Sequence, residues 1–151
     1  LLDYLHETQK TDLRHVDETL NYLHLQDLSE RFLDELSGGQ RQRAYIAMVL
    51  CQDTRYILLD EPLNNLDMAH AVGMMKLLRQ AVHDTGKTVV VVLHDINFAA
   101  SYADHIIAMK DGRLYLEGPP EVVVQDQVLS DLYEIPVTVH QVGGRRFCDY
   151  F

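Results

Sequence analysis

The sequence has few cysteines, a shortage of basic residues and no long apolar segment, and each shortage argues against a class of protein. Cys51 and Cys148 are its two cysteines, and their wide separation disfavours a secreted disulfide scaffold and predicts reduced thiols. Lysine and arginine total 13 against 23 acidic residues, so the net charge of −10 predicts no nucleic-acid partner. Apolar runs such as Val89 to Leu93 are far shorter than the ~18 residues that span a bilayer, which limits a membrane role to peripheral association.

The beginning of the chain also lacks familiar features. Leu1-Leu2-Asp3-Tyr4 contains no initiator methionine, and no basic start and apolar stretch of a signal peptide follows. We therefore expect the sequence to be a fragment of a longer protein. Its 151 residues, 47% hydrophobic and 24% charged, are ordinary for a globular domain and long enough for a hydrophobic core.

Hydrophobic patterning predicts an α/β fold around a parallel βαβ unit. Two short apolar runs, Tyr56 to Leu59 and Val89 to Leu93, do not alternate with polar residues. Such runs predict strands that are buried on both faces of a parallel sheet. The intervening segment Met68 to His83 has helical periodicity and stops at Gly86. Strand, helix and strand in this order predict a right-handed crossover.

Further elements are predicted before this unit. Apolar residues recur with helical spacing between Asp12 and Leu25. A second helix should begin just after Ser37, because Ser37 is a good N-cap and Gln40, three residues later, completes a capping box.

After the βαβ unit the sequence favours hairpins. The turn dipeptide Asp111-Gly112 lies between two β-prone runs and predicts a hairpin. A short helix from Val128 to Tyr133 and a last small hairpin about Gly143-Gly144 complete the prediction.

Polar residues follow both predicted strands, where open α/β sheets bind their ligands. Asp60 and Glu61 follow the first strand and His94 follows the second. Asp60 is predicted to hold Mg²⁺ through water, and Glu61 to activate a water molecule as general base. His94 is predicted to hydrogen-bond a terminal phosphate. Each feature alone is equally well explained by a turn after a strand or by a hydrogen-bonded loop histidine.

The segment Leu36-Ser37-Gly38-Gly39-Gln40 favours the functional interpretation. Two glycines at a helix start allow close backbone approach, and the free N–H groups with the helix dipole form an anion site. An ordinary capped helix gains nothing from these glycines, since each disfavours helix by ~1 kcal/mol.

Four segments resemble motifs of the ATP-binding subunits of ABC transporters. Leu36 to Arg43 resembles the signature motif, and Tyr56 to Pro62 resembles the Walker B strand with its catalytic glutamate. Leu66-Asp67 matches the D-loop and His94 the switch histidine. Their order and spacing also match, and the resemblance extends from about Asp12 to Glu121.

The resemblance implies ATP and Mg²⁺ as cofactors and a head-to-tail homodimer that encloses two nucleotides. Ser37 to Gln40 would contact the ATP of the partner subunit, whereas Asp60, Glu61 and His94 would act on the subunit's own nucleotide. Asp67 would couple the two sites across the interface. Closure of the dimer would drive integral-membrane permease subunits, and ATP hydrolysis would reset them.

Three stretches are similar to one subfamily, the subunits that energise uptake of ferric siderophores. They are Glu61 to Asp67, His94 to Asn97 and Tyr102 to His105, and the siblings that serve cobalamin and haem look much alike. This similarity implies an importer ATPase at the cytoplasmic face of the cell membrane, linked indirectly to a substrate-binding protein.

The implied fold class is a partial P-loop NTPase-like domain of the ABC ATPase type. Residues 1–52 would form the helical subdomain with the signature motif, and residues 53–120 the C-terminal part of the nucleotide-binding α/β core. Residues 121–151 would form a C-terminal extension with a small hairpin.

The phosphate-binding Walker A pattern, Gly-x-x-x-x-Gly-Lys-Ser/Thr, has no match. Gly86-Lys87-Thr88 comes nearest, but Ala81 occupies the position of the first glycine and a strand follows where one should precede. We therefore predict a turn there and weak or absent ATP binding by this chain alone. The alternative function is a non-hydrolysing module that binds a permease or a partner ATPase. A DNA-repair ATPase is disfavoured by the acidic charge and the lack of a long heptad segment.

Overall fold

In the computed structural model, the backbone is described for residues 2–151 and the side chains for residues 12–151. The chain divides into two compact units, Leu1–Val92 and Leu93–Phe151. This boundary falls inside the predicted region 53–120. The division into residues 1–52, 53–120 and 121–151 according to their roles stays a prediction. The elements of the first unit are α1 (Leu2–Tyr22), α2 (Gly38–Cys51), β1 (Tyr56–Asp60), α3 (Met68–Thr85) and β2 (Thr88–Val92), with 3₁₀ turns at Gln26–Leu28 and Leu33–Glu35. Those of the second are α4 (Ile96–Tyr102), β3 (Ile106–Lys110), β4 (Arg113–Gly118), α5 (Pro120–Val123), α6 (Asp126–Tyr133), β5 (Thr138–Val142) and β6 (Arg145–Asp149).

The predicted parallel βαβ unit is present in the first unit. Strands β1 and β2 pair in parallel, with Tyr56 opposite Thr88 and Asp60 opposite Val92. Helix α3 connects them and ends at Gly86, whose φ of 66° is the left-handed conformation that glycine adopts at low cost. The Gly86-Lys87-Thr88 segment is thus the helix end and strand start that the sequence predicts.

The prediction that both strands are buried on both faces is wrong for the described chain. Ile57 is buried, but Leu58 on the opposite face of β1 is 75% exposed, and Val90 and Val92 of β2 are also exposed. The buried side of α3 covers one face of the sheet, and no element of residues 12–92 covers the other. The apolar residues of α3 on that side are Ala71, Met74, Met75, Leu78 and Ala81.

The helix predicted between Asp12 and Leu25 is present but has different bounds. Helix α1 runs from Leu2 to Tyr22 and ends before His24, whose φ of 53° cannot continue a right-handed helix. The Nη1 atom of Arg43 donates to the Leu23 carbonyl at 3.2 Å and ties α2 to the end of α1. The Tyr22 hydroxyl donates to a carboxylate oxygen of Asp84 at 3.2 Å and links α1 to the end of α3.

The second unit contains both predicted hairpins and the predicted short helix. Strands β3 and β4 pair antiparallel, as do β5 and β6. The turn residues at 111–112 and 143–144 all have positive φ, which suits the twist of two-residue hairpin turns. The helix expected from Val128 to Tyr133 begins two residues earlier, at Asp126. The core of this unit is formed by Ile96, Val124, Leu129, Val137 and Cys148.

Candidate nucleotide site

The segment that resembles the signature motif begins α2 with the predicted capping box. Ser37 has extended backbone angles and is the N-cap residue. The Ser37 hydroxyl accepts from the Gln40 amide at 3.4 Å, and the Ser37 amide donates to the Gln40 side-chain oxygen at 3.0 Å. These bonds satisfy two of the backbone donors at the helix start and fix its direction.

The turn before Ser37 is held by Arg41, a residue whose role the sequence does not predict. Its Nε donates to the Leu33 carbonyl at 2.8 Å, and its Nη2 lies 3.3 Å from the Asp34 carbonyl and 3.4 Å from the Leu36 carbonyl. The fork of guanidinium donors can bind several carbonyls at once. Arg41 therefore fixes the backbone that leads into the motif, and sequence spacing alone gives no signal for such a fold-back.

The two glycines of the segment have different surroundings. A Cβ atom added at Gly38 would meet no atom within 4 Å, whereas one added at Gly39 would lie 2.6 Å from Cδ2 of His70. Gly39 is therefore packed against the first turn of α3. The open backbone at Gly38, at the N-terminus of a 14-residue helix, fits the approach of a phosphate group.

The acidic pair lies at the end of β1 as predicted. Asp60 is the last residue of the strand and is exposed, and Glu61 is half-buried. Glu61 has a φ of 48°, a conformation that costs a non-glycine residue about 1–3 kcal/mol. The side-chain amide of Asn64 donates to the Glu61 carboxylate, and the backbone N–H of Asn64 donates to the Glu61 carbonyl at 3.1 Å. Asn64 therefore orients the predicted general base.

The residue that matches the D-loop aspartate caps the next helix. One carboxylate oxygen of Asp67 accepts from the His70 amide at 2.9 Å, and the other lies 2.7 Å from Nδ1 of the His70 ring. The His70 amide, and then the imidazole, hold the pKa of the Asp67 carboxyl below its usual range. The carboxylate therefore stays ionised at neutral pH.

The predicted site residues are divided between the two units. The signature segment, Asp60, Glu61 and Asp67 lie in the first unit, where Asp60 and Val92 mark the same edge of the sheet. His94 is the second residue of the second unit, two residues beyond Val92, and is exposed. The predicted approach of His94 to Glu61 stays a prediction.

Asp60 is the carboxylate that the sequence predicts to hold a magnesium ion through water. Among the side chains of residues 12–151, no group of three or more His, Cys, Asp or Glu residues is arranged to enclose a metal. An exposed carboxylate at a strand end suits Mg²⁺, which keeps several waters and takes few protein ligands.

In the described part of the chain, no helix is long and apolar enough to cross a bilayer.

Known proteins resemble this chain in sequence and in structure. A family model described as "ABC transporter" matches residues 3–64. The petrobactin import ATP-binding protein YclP of Bacillus subtilis is 51% identical over 140 residues, which cover 93% of this chain and 56% of YclP. The ferric enterobactin transport ATP-binding protein FepC of Escherichia coli is 39% identical over 125 residues, covering 83% of this chain and 46% of FepC.

Among solved structures, cbiO1 of Clostridium perfringens, part of the ABC transporter complex cbiONQ, superposes with a TM-score of 0.70 at 32% identity. The match covers 78% of this chain and 47% of cbiO1. The chain thus spans about half the length of the relatives it matches. From these matches, together with the capped glycine helix and the acidic strand end, it follows that the chain belongs to the ABC transporter ATP-binding family and has the fold of part of its P-loop NTPase-type domain.

Proposed function

We propose that this chain is the signature and Walker B part of the ATP-binding subunit of an ABC importer, and that the intact subunit hydrolyses ATP to energise uptake of an iron–siderophore complex. The observation that carries the proposal is the end of β1, where Asp60 is exposed and the Glu61 carboxylate is oriented by Asn64. The relatives support the cargo class, because YclP and FepC are named for import of petrobactin and transport of ferric enterobactin.

The residues after β1 fit the hydrolysis of a phosphate anhydride. Bound Mg-ATP supplies the phosphoryl group. Asp60 would hold the magnesium ion through water, and Glu61 would take a proton from the attacking water as general base. His94 would donate a hydrogen bond to the terminal phosphate, where negative charge develops. Asp60 ends β1 and Glu61 follows it directly, so the metal ligand and the base are neighbours in the chain.

The signature segment would serve the nucleotide of a second, identical subunit. Ser37, Gly38, Gly39 and Gln40 stand at the start of α2, where backbone N–H groups and the helix dipole attract a phosphate. Gly38 has open space in front of it, as close approach by a ligand requires. Asp67 at the start of α3 would contact the partner subunit and couple the two nucleotide sites.

The remaining partners follow from this role. The homodimer would bind integral-membrane permease subunits at the cytoplasmic face of the membrane as a peripheral component. A substrate-binding protein would deliver the iron compound to the permease and would not touch this subunit. In the predicted division of roles, residues 1–52 carry the signature, residues 53–120 the catalytic strand ends, and residues 121–151 the extension.

The proposal is tested with the intact subunit that contains this chain, co-purified with its permease and reconstituted in vesicles. We expect Mg-dependent ATP hydrolysis and ATP-driven uptake of radiolabelled ferric siderophore, both abolished by Glu61→Gln. ATP hydrolysis with uptake of haem or cobalamin instead would overturn the iron–siderophore assignment and keep the importer. Permease binding without any ATP hydrolysis would overturn the ATPase and support the non-hydrolysing module.

The chain alone gives a second test by calorimetric titration with Mg-ATP. We expect no binding in the micromolar range, because the pattern that cradles the β- and γ-phosphates has no match in these 151 residues. Micromolar affinity would contradict this expectation and would require a phosphate site other than the one the family uses.

A further inference from the structure

A histidine that belongs to neither motif stands between the D-loop and the signature segment. His70 lies in the first turn of α3, and its side chain is 58% exposed. Both oxygens of Asp67 are directed at this one residue, one to its amide at 2.9 Å and one to its Nδ1 at 2.7 Å. The second bond fixes the rotation of the imidazole, because the ring nitrogen must meet the carboxylate.

The other side of the imidazole meets α2. A Cβ atom built on Gly39 would lie 2.6 Å from Cδ2 and 3.0 Å from Nε2 of His70, closer than real Cβ atoms approach. The ring therefore packs directly on the backbone of Gly39, and a side chain at that position would displace it. Gly38, one residue earlier, has no such neighbour.

A simple helix cap does not account for this arrangement. Capping of α3 by Asp67 requires only the backbone N–H of residue 70, which any residue except proline supplies. The bond to Nδ1 and the ring contact with Gly39 both depend on the side chain. An exposed side chain with two specific contacts, each to a different motif, indicates a role in positioning.

We propose that His70 is a positioning residue that couples the D-loop to the signature segment within one subunit. Asp67 orients the imidazole, and the imidazole sets the position of Gly39 and hence of the backbone N–H groups that begin α2. A movement of the D-loop would then shift the signature amides that face the partner's nucleotide. This inference rests on the proposed function for the roles of the two motifs, but the contact itself can be tested without nucleotide.

The first test is nuclear magnetic resonance of the ¹⁵N-labelled 151-residue chain, with the Gly39 amide as the reporter. Asp67→Asn keeps the side-chain oxygen that caps α3 but removes the acceptor for Nδ1–H. We expect this variant to shift the Gly39 amide resonance in the wild-type background and to shift it less than about a third as much in a His70→Ala background. Equal shifts in both backgrounds, or no shift in either, would overturn the coupling.

The second test is steady-state ATP hydrolysis by the intact subunit with its permease. We expect His70→Ala to lower kcat by about 3- to 30-fold and to change the KM for ATP by less than about twofold, as expected for lost coupling. Combining it with Asp67→Asn should lower kcat no further than the stronger single variant, because both interrupt one link. A fully multiplicative loss would overturn the proposal.

Two variants separate the contacts, and one controls for changes to α3. His70→Asn keeps a donor for Asp67 but is too short to reach Gly39, and His70→Phe keeps a ring but loses the donor. We expect both variants to have a kcat as low as that of His70→Ala. His83→Ala removes an 89% exposed histidine near the other end of the same helix and should leave kcat unchanged.

A wild-type kcat in His70→Asn or in His70→Phe, or a lowered kcat in His83→Ala, would contradict the proposal. An intact wild-type subunit that hydrolyses no ATP would overturn the proposed function instead, and the Gly39 measurement would still decide whether His70 couples the two segments.

Discussion

The β1–β2 sheet of the first unit and the core of the second unit differ in how far their apolar side chains are buried. In the first unit, β1 and β2 leave one sheet face in solvent, and Leu58 is 75% exposed. In the second unit, Val124 and Leu129 are completely buried in a core that its own helices and hairpins close. The comparison indicates that stability in the second unit comes from local packing, whereas the first unit holds most of the candidate chemistry on an incompletely covered sheet.

In the second unit, side chains of the helices also form hydrogen bonds with backbone groups of the same unit. The Asn97 side chain of α4 accepts from the Cys148 amide at 2.7 Å and donates to the Cys148 carbonyl at 3.2 Å. The Ser130 hydroxyl accepts from the Val137 amide at 2.9 Å. Helices are thereby fastened to the last hairpin by side chains that pair buried backbone groups. Burial also raises the pKa of the Cys148 thiol, which disfavours the reactive thiolate.

The largest expected effect is on activity in the first unit, which should be lost while stability is kept. Glu61→Gln in the intact subunit should lower kcat by about 10²- to 10⁴-fold, because the amide cannot accept a proton from water. The free energy of unfolding should change little, since Glu61 lies on a turn. Steady-state ATP hydrolysis and urea unfolding measure the two quantities. The exposed Glu30, changed to Gln, is the control; retention of more than a tenth of kcat by Glu61→Gln would exclude it as the base.

A matched pair of leucines compares the two units directly. Leu129→Ala should lower the free energy of unfolding of the second unit by about 2–5 kcal/mol, because it leaves a cavity in a closed core. Leu58→Ala should change the free energy of unfolding by less than about 0.5 kcal/mol, since most of that side chain is already in water. Urea unfolding of the chain, followed by amide resonances in each unit, measures both. Similar losses for the two variants would show that the difference in burial does not govern stability.

A smaller effect tests the hydrogen bonds between side chains and backbone groups in the second unit. Asn97→Ala removes both bonds to the Cys148 backbone and should lower the free energy of unfolding by about 1–3 kcal/mol, because a buried amide and carbonyl lose their partner. The exposed Gln141 of β5, changed to Ala, should have a much smaller effect. Faster hydrogen exchange at the Cys148 amide is the site-specific measurement. Unchanged exchange there would mean that Asn97 does not hold the strand.

Local signals in the sequence predicted most elements correctly. Ser37 and Gln40 mark the start of α2, Gly86 marks the end of α3, and the two turn dipeptides mark the hairpins, because each acts within a few residues of itself. Helix α4 was not predicted, although Asp95 caps it by accepting from the Asn97 amide at 2.7 Å. The segment from His94 to Asn97 carries the subfamily similarity, but a helix of seven residues is too short to show a clear helical period in the sequence.

What the sequence did not predict depends on residues that are distant along the chain. Burial of both faces of β1 was inferred from an apolar run, but burial requires an element that covers each face, and a run of residues carries no information about that element. The bonds from Arg41 to the turn carbonyls and the contact of His70 with Gly39 arise from tertiary folding. Asp60 and Glu61 lie at the end of β1, as predicted, because they are adjacent in sequence to its apolar run.

The smallest expected effect concerns the hydrogen bond that joins α1 to α3 in the first unit. Burial, and then the nearby Asp84 carboxylate, raises the pKa of Tyr22 from 10.0 to about 12. The folded state therefore favours the neutral phenol, so this contribution to stability is complete below pH 10 and is lost as the pH rises from 10 towards 12. Tyr22→Phe should lower the free energy of unfolding by about 1 kcal/mol at pH 8, where the hydrogen bond is lost, and should weaken the decline of stability above pH 10.

Urea unfolding at pH 8, 9, 10 and 11 measures both parts of this expectation. Tyr45→Phe on α2, where the side chain is exposed, should leave the alkaline decline as it is in the wild-type chain. An identical decline in the wild type and in Tyr22→Phe would show that Tyr22 is equally accessible in the folded and unfolded states. The first unit would then lack this link between its helices, and the contrast with the internally fastened second unit would be larger than the structure indicates.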